Sequence, residues 1–538
     1  KTRGCGILYS GAKRAPEENF MSERIYENGR IFALDATLPA DYLLCKDGKI
    51  VSAGRGEPPP LSAGAERVDL KGGALLPAFI DSHSHLSAVA HRLLQLSLDG
   101  LSGREVLSAI ARFIRDNNPE KGEWISAGGY EPEGGRLTAK QLDAISPSHP
   151  LVLQYPSGHM GIFNSAALRV LGVDADTPPS EGGFIEKDAD GNPTGYMEEN
   201  DFVSRLKKVP PPAADKLLAA FGKAQDIYFS HGVVLIQEGL ALKELLPLYL
   251  ALREKGLLKA DVVLFPDLPS YPEYAAAFPE KGGKLRVGGV KLISDGSPQG
   301  RTAWLRQPYL DEEGNPDKNG YCGYPAVTRE VLEEHVRFCA GKGLQLLVHC
   351  NGDRAADAFI DAQLRFGKPE TRPVMIHAQM LPVDRLDDVR RAGIIPSFFV
   401  AHVGRWGDVH LKNLGERAQT ISPLRSALDK GIPFTLHQDS PVLPPDMLYT
   451  VCCAAERRTQ SGRVLGERER IDVLSALRAV TRNAAYQYFE ENSTGGLRRG
   501  MRENLVLLSD DPFRTPHDRL PEIRVEKTIL DGKTVFCR

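Results

Sequence analysis

Eight short apolar runs alternate with longer helix-like segments, and strand-and-turn patterns flank them at both ends of the chain. Together these predict an α/β fold: a (β/α)8 barrel of the TIM type, with an inserted subdomain and a small composite β-sandwich built from both termini.

The stretch 1–20 carries charges and no apolar core of signal-peptide length, so it reads as a leader, a tag or a disordered tail. Alternating runs at 24–34 and 42–53 turn at Asn28-Gly29 and Asp47-Gly48. Strand signals return at 504–508 and at 525–536, around Asp531-Gly532. Residues 21–73 and 495–538 are therefore expected to share one sandwich. Residues 74–494 are expected to form the barrel, with strands at 74–81, 233–238, 260–265, 286–293, 344–349, 373–377, 394–399 and 433–439. Helices are expected between them, for example at 214–230, 240–255, 329–342 and 354–366. The segment 87–230 is too long for one connection and reads as an inserted subdomain or lid.

Bulk properties exclude several classes. The net charge is −3 with no Lys/Arg block, so neither nucleic acid nor an anionic membrane is an expected partner. No apolar run is long enough to span a bilayer. The eight cysteines form no CxxC pair, which suits reduced thiols in a cytoplasmic protein better than a disulfide scaffold. The expected partner is a small-molecule substrate.

The chemistry gathers at predicted strand ends. His83 and His85 follow the first strand in Phe79-Ile-Asp-Ser-His-Ser-His85, and residues two apart on an extended chain face the same side. His349 ends the fifth strand, His377 the sixth and Asp439 the eighth. Barrels of this type place their sites at the carboxyl ends of strands. A His-rich set completed by a carboxylate suits zinc or another first-row metal. Such a metal lowers the pKa of a bound water to roughly 7, and Asp439 is placed to act as general base. Lys291, near the end of the fourth strand, needs a reason for burial: an ion pair with Asp295, or carbamylation to bridge two metals.

These residues and their surroundings resemble the amidohydrolase superfamily, specifically its YtcJ-like branch (amidohydrolase family 3), from about Met21 onward. The resemblance rests on Leu76-Pro-Ala-Phe-Ile-Asp-Ser-His-Ser-His85, with Ala78 where glycine is usual. It also rests on 142–150, Gly158-His159, 164–168, Pro193-Thr-Gly-Tyr-Met-Glu-Glu199, the block from Lys291 to Ala303, Gly352-Asp353, His377-Ala-Gln379 and Asp439-Ser-Pro441. Gly500–Leu508 lacks the family's Ala-Asp pair. The resemblance implies hydrolysis of C–N bonds in small molecules by one or two divalent metal ions, zinc foremost. It also implies His83, His85, His349 and His377 as ligands, Asp439 as ligand and base, and Lys291 where binuclear members carry a carbamylated lysine. A homodimer follows family habit.

Further candidates for substrate contact are His159, Glu199 (or its neighbour Glu198), Asp295, Arg301 and Asp353. Arg301 could hold a substrate carboxylate or brace Asp295, and Asp353 could instead cap a helix. Glu238, His402 and Trp406 are placed near the expected mouth, and His437 as support for the ligands. His91, His149, His231, His335, His410 and His517 have no partner pattern. The leading expectation is an amidohydrolase acting on an amide, N-acyl or N-formyl bond. A deaminase or an ester or lactone hydrolase could use the same site, and a catalytically dead binding scaffold is the third reading.

Overall fold

Asn28 and Asp47 take left-handed φ values of 59° and 52°, which lets the first strands double back over short turns. The computed structural model describes residues 23–35, 37–132, 135–210, 212–280 and 282–538. The reading of 1–20 lies outside them. Near the start, Lys49–Gly54, Tyr42–Lys46, Glu23–Glu27 and Glu66–Asp69 form a four-stranded sheet, in that order. A five-stranded sheet joins both ends of the sequence: Arg30–Ile31, Ala74–Pro77, Leu505–Leu508, Val525–Leu530 and Lys533–Cys537. Tyr26, Ile31, Leu43, Leu75, Leu505 and Ile529 pack in one cluster that draws on both sheets.

The central strands are labelled in chain order: β1 (Phe79–Ile80), β2 (Val233–Ala241), β3 (Asp261–Pro266), β4 (Leu285–Val287), β5 (Gly289–Ile293), β6 (Gln345–Cys350), β7 (Val374–His377), β8 (Ile395–Phe398) and β9 (Thr435–Leu436). They make two wholly parallel arcs. One runs β4-β3-β2-β1 and the other β5-β6-β7-β8-β9. Both are buried and rich in Val, Ile and Leu, as parallel strands covered on two faces must be. At one junction, β4 and β5 are separated by Gly288 alone. At the other, the segments following β1 and β9 meet: Asp439 N donates to His83 O (3.2 Å) and His85 N to Ser440 O (2.9 Å).

Four elements differ from the expected bounds, among them the strand at 433–439, which is only Thr435–Leu436. The strand at 286–293 is divided, because Gly288 packs against β3: a Cβ there would stand 2.5 Å from Phe265 Cζ. The strand at 74–81 is also divided, its first half in the terminal sheet and only Phe79–Ile80 in the central arc. The helix at 240–255 begins later, at Leu246–Glu254, since β2 runs on to Ala241.

Residues 96–198 contribute a separate six-stranded sheet, in the order Gly183–Lys187, Pro193–Glu198, Met160–Phe163, Leu151–Gln154, Ile125–Gly128 and Leu96–Ser97. It has its own apolar clusters, around Val106, Ile110 and Ile162 and around Phe163, Leu168 and Phe202. An ion pair between Glu131 and Arg405 ties this part of the chain to the helix Ala401–Leu414 that follows β8. Among the described residues no helix is long and apolar enough to cross a membrane.

Candidate metal centre

β1 delivers Asp81-Ser-His-Ser-His85 in a tight run that ends as the helix Leu86–Arg92 begins, with His85 at its N-cap. The run is buried apart from part of His85. Asp439 reaches the same place from beyond β9. His83 Nε2 and His85 Nε2 each lie 3.4 Å from Asp439 Oδ1. His377 Nε2 lies 3.9 Å from Asp439 Oδ2. Lys291 Nζ, rising from β5, is 3.5 Å from His83 Nε2. The His349 ring at the end of β6 has its centroid 4.6 Å from that of His377.

The hydrogen bonds behind these rings decide which nitrogens are bare. Gln237 on β2 gives its Nε2 protons to Ser82 O (3.1 Å) and Tyr488 Oη (2.8 Å), so its Oε1 accepts from His83 Nδ1 at 2.5 Å. His83 Nε2 is then a lone pair aimed at a carboxylate. Asp439 Oδ1 is buried and accepts no hydrogen bond. Two acceptors facing each other at 3.4 Å call for a cation. Likewise His349 Nε2 donates to Gly296 O at 3.0 Å, which leaves Nδ1 as its acceptor. His83, His85 and Asp439 satisfy the geometry of a three-donor metal site.

The electrostatics agree with that donor set. Burial, reinforced by Lys291, holds His83 well below its usual pKa. Burial, with His159 and Lys291 nearby, pushes His349 down to about 3. Burial lowers Lys291 to about 8 against the pull of Asp439. His85 is the exception. Burial disfavours its charge, but Asp439 and Glu238 outweigh that and raise it to about 9. Burial alone would raise Asp439, yet His85 and His83 hold it far below the carboxylate range.

The backbone is strained where the donors sit. His377, Ala378, Asp439 and Glu199 have φ of 68°, 48°, 54° and 49°, a region that residues other than glycine occupy only where surrounding structure forces it. Gly239 also has a local reason: a Cβ there would stand 2.5 Å from His83 Cε1.

The remaining candidates divide. His159 approaches from the six-stranded sheet, 5.7 Å between ring centroids from His349. Glu199 Oε2 holds its Nδ1 at 2.8 Å, while Glu199 Oε1 accepts from Thr302 Oγ1 at 3.0 Å. Burial opposes the His159 charge, but Glu199 raises its pKa overall. Asp295, Arg301 and Asp353 instead direct their polar atoms to the backbone. Asp295 accepts from Asn351 N (2.9 Å), Gly352 N (2.7 Å) and Trp304 N (3.0 Å). Arg301 Nη1 donates to Leu310 O at 2.6 Å, and Asp353 accepts from Arg306 N at 2.6 Å. Glu238 accepts from Ser87 N and Tyr249 Oη. His402 meets Phe399 and Trp406 edge-on, with centroids 4.6 Å from each, and stacks on His410. His437 meets His377 at 3.1 Å. Sequence reasoning missed Gln237, Asn351 and Ser397, and placed Thr302 only within the block from Lys291 to Ala303. Only Gln237 carried a signal, as a buried amide beside Glu238 in an apolar strand.

Imidazoles and a carboxylate converge here at the carboxyl ends of parallel strands, as a candidate metal centre. The amidohydrolase family profile matches residues 66–536, and the chain belongs to that family; it is an enzyme acting on carbon–nitrogen bonds. It is similar to the amidohydrolase YtcJ of Bacillus subtilis (strain 168), at 28% identity over 88% of this chain and 90% of that one. It is also similar to the N-substituted formamide deformylase of Arthrobacter pascens, at 25% identity over 95% of this chain and 98% of that one. A crystal structure of a metal-dependent hydrolase from Pyrococcus horikoshii OT3 shares the fold, with a TM-score of 0.73 and 24% identity over 92% of this chain and 99% of that one.

Proposed function

We propose that the protein hydrolyses the amide-type bond of a small N-acyl or N-formyl amine, with zinc as its metal. The observation that carries this reading is the bare Asp439 Oδ1, 3.4 Å from both His83 Nε2 and His85 Nε2. His83, His85 and Asp439 would hold one ion, and His349 and His377 a second, with Lys291 between them as a carbamate. A divalent ion there supplies Lewis acidity toward water and toward a carbonyl oxygen.

The chain's own residues do the rest. Asp439, kept ionised by its histidines, takes a proton from the attacking water and returns it to the leaving nitrogen. His159, fixed by Glu199, stands at the mouth to bind the acyl oxygen. Asp295, Arg301 and Asp353 hold the loops that frame the pocket. The similarity to a formamide deformylase favours a formyl or other small acyl group.

In this reading the two parallel arcs are one (β/α)8 barrel whose fourth strand is β4 plus β5. The two terminal sheets form the composite sandwich, and the six-stranded unit is an inserted lid carrying His159 and Glu199. The seven described cysteines are unpaired thiols, which suits a cytoplasmic enzyme. A homodimer is the assembly to look for by light scattering. The deciding test is metal analysis beside turnover of an N-acyl and N-formyl amine panel. Zinc-loaded protein releasing amine and acid supports the reading. Protein that stays inactive on the panel after zinc and bicarbonate are supplied overturns it.

A further inference from the structure

Behind the donor cluster, four polar side chains form a line from a strand carbonyl to His377. Ser82 Oγ lies 3.0 Å from Leu436 O and 3.1 Å from Ser397 Oγ. Ser397 Oγ lies 2.9 Å from His437 Nδ1, and His437 Nε2 lies 3.1 Å from His377 Nδ1. Ser82, Ser397 and His437 are wholly buried. Ser82 is itself pinned, because its carbonyl accepts from Gln237 Nε2 and from Gln487 Nε2 at 3.1 and 2.8 Å.

Each hydroxyl in this line brings one proton, and each neutral imidazole brings one. His437 has no acid against either nitrogen in the line: Nδ1 faces a hydroxyl and Nε2 faces another imidazole. Only one polarity makes every hydrogen bond in the line; any arrangement with His437 protonated on Nε2 loses one of them. A carbonyl oxygen can only accept, so Leu436 O is satisfied when Ser82 donates to it. Ser82 then accepts from Ser397, and Ser397 accepts from His437 Nδ1–H. His437 Nε2 is left bare and accepts from His377 Nδ1–H. The lone pair of His377 is thus placed on Nε2, the nitrogen 3.9 Å from Asp439 Oδ2. In the reverse polarity every proton moves one place. Leu436 O loses its donor, and His377 points an N–H at the site, where it could not bind a cation.

We propose that Ser82, Ser397 and His437 are positioning residues that set the tautomer of His377 and so prepare it as a ligand. This rests on the reading of His377 as a metal ligand. It also assigns a distinct role to Ser82, which lies three hydrogen bonds away from His377.

The test compares the full-length protein with His437→Phe, His437→Gln and Ser82→Ala, each confirmed as folded by circular dichroism. Zinc affinity is read by competition with a chromophoric chelator, and the His377 tautomer by 15N shifts of labelled histidine. His437→Phe should weaken zinc at one site about 10–100-fold. His437→Gln, whose amide can accept from His377 and donate to Ser397, should recover most of that loss. Ser82→Ala should turn a single Nδ1–H tautomer of His377 into a mixture. A wild-type His377 protonated on Nε2 overturns the proposal. So does His437→Phe binding zinc as tightly as wild type, or Ser82→Ala leaving the tautomer unmixed. If His437→Phe fails to fold, the Ser82→Ala spectrum decides alone. Wild-type protein that binds no zinc would instead overturn the proposed function.

Discussion

Lys291 Nζ lies 3.5 Å from His83 Nε2, so two basic nitrogens face each other in a buried pocket. Burial keeps His83 neutral there and brings the Lys291 ammonium down to about 8, so the neutral amine is reached at mildly alkaline pH. A neutral lysine amine can add carbon dioxide and lose a proton, and the resulting carboxylate would face the same cluster of donors.

This gives a pH dependence with a definite sign. Burial lowers Lys291 from the usual lysine value to about 8, so its neutral, reactive form grows as pH rises through that point. Chelator-stripped protein given zinc and bicarbonate should regain activity faster from pH 6.5 upward and level off above about 8. An ordinary lysine would keep accelerating toward its usual value of 10.5. Lys291→Ala should lose this bicarbonate dependence and bind less zinc, as measured by elemental analysis.

Asp439→Asn keeps the shape of the side chain but removes the proton acceptor and weakens a proposed ligand, so its kinetics are compared at matched zinc occupancy. Its kcat should fall by about 10²–10⁴-fold, the usual scale of general base catalysis. His85→Ala, which removes a proposed ligand, should lose zinc as well as activity. Parallel zinc analysis and steady-state kinetics separate the two effects.

Glu199 bridges His159 and Thr302, two segments far apart in sequence. Glu199→Ala should lower kcat/KM about 10–100-fold by freeing His159, at unchanged zinc content. Equal zinc loss would place Glu199 among the ligands instead.

Arg457 is wholly buried and donates to three backbone carbonyls, those of Leu465, Ser422 and Ile421. Ser422 in turn bonds Gln379, two residues past His377: its N donates to Gln379 O (2.7 Å) and its Oγ to Gln379 Oε1 (3.0 Å). Arg457→Met leaves Leu465 O and Ile421 O unpaired, while Ser422 O keeps Leu424 N as donor, and should cost roughly 2–3 kcal/mol of stability. Urea denaturation measures this, and zinc affinity should fall in the same variant.

The donor set was legible in the sequence where it follows a local rule. His83 and His85 share a face by strand period, and His349 and His377 close short apolar runs that, in alternation with helical segments, read as buried strands. The groups that orient them follow no such rule. Gln237, Ser397 and Asn351 become meaningful only beside residues distant in the chain. The left-handed turns at His377 and Asp439 carry no glycine or asparagine to announce them, which is why the expected eighth strand overran Leu436. The division of the fourth strand was written in the pair Gly288-Gly289, since glycine within a strand pattern marks a break or close packing.

The strand Ala74–Pro77 is hydrogen-bonded on one side to Arg30–Ile31 and on the other to Leu505–Leu508. It also leads directly into β1 and His83. During synthesis, the segment that aims the first histidines leaves the ribosome long before its second neighbour exists. Its open edge must wait, exposed to chaperones or to wrong partners, until nearly the whole chain has been made. Cutting the chain before Leu505 should therefore do more than trim a surface. It would leave the histidine-bearing strand without one of its two walls, so late truncations should be recovered in aggregates rather than as weakly active enzyme.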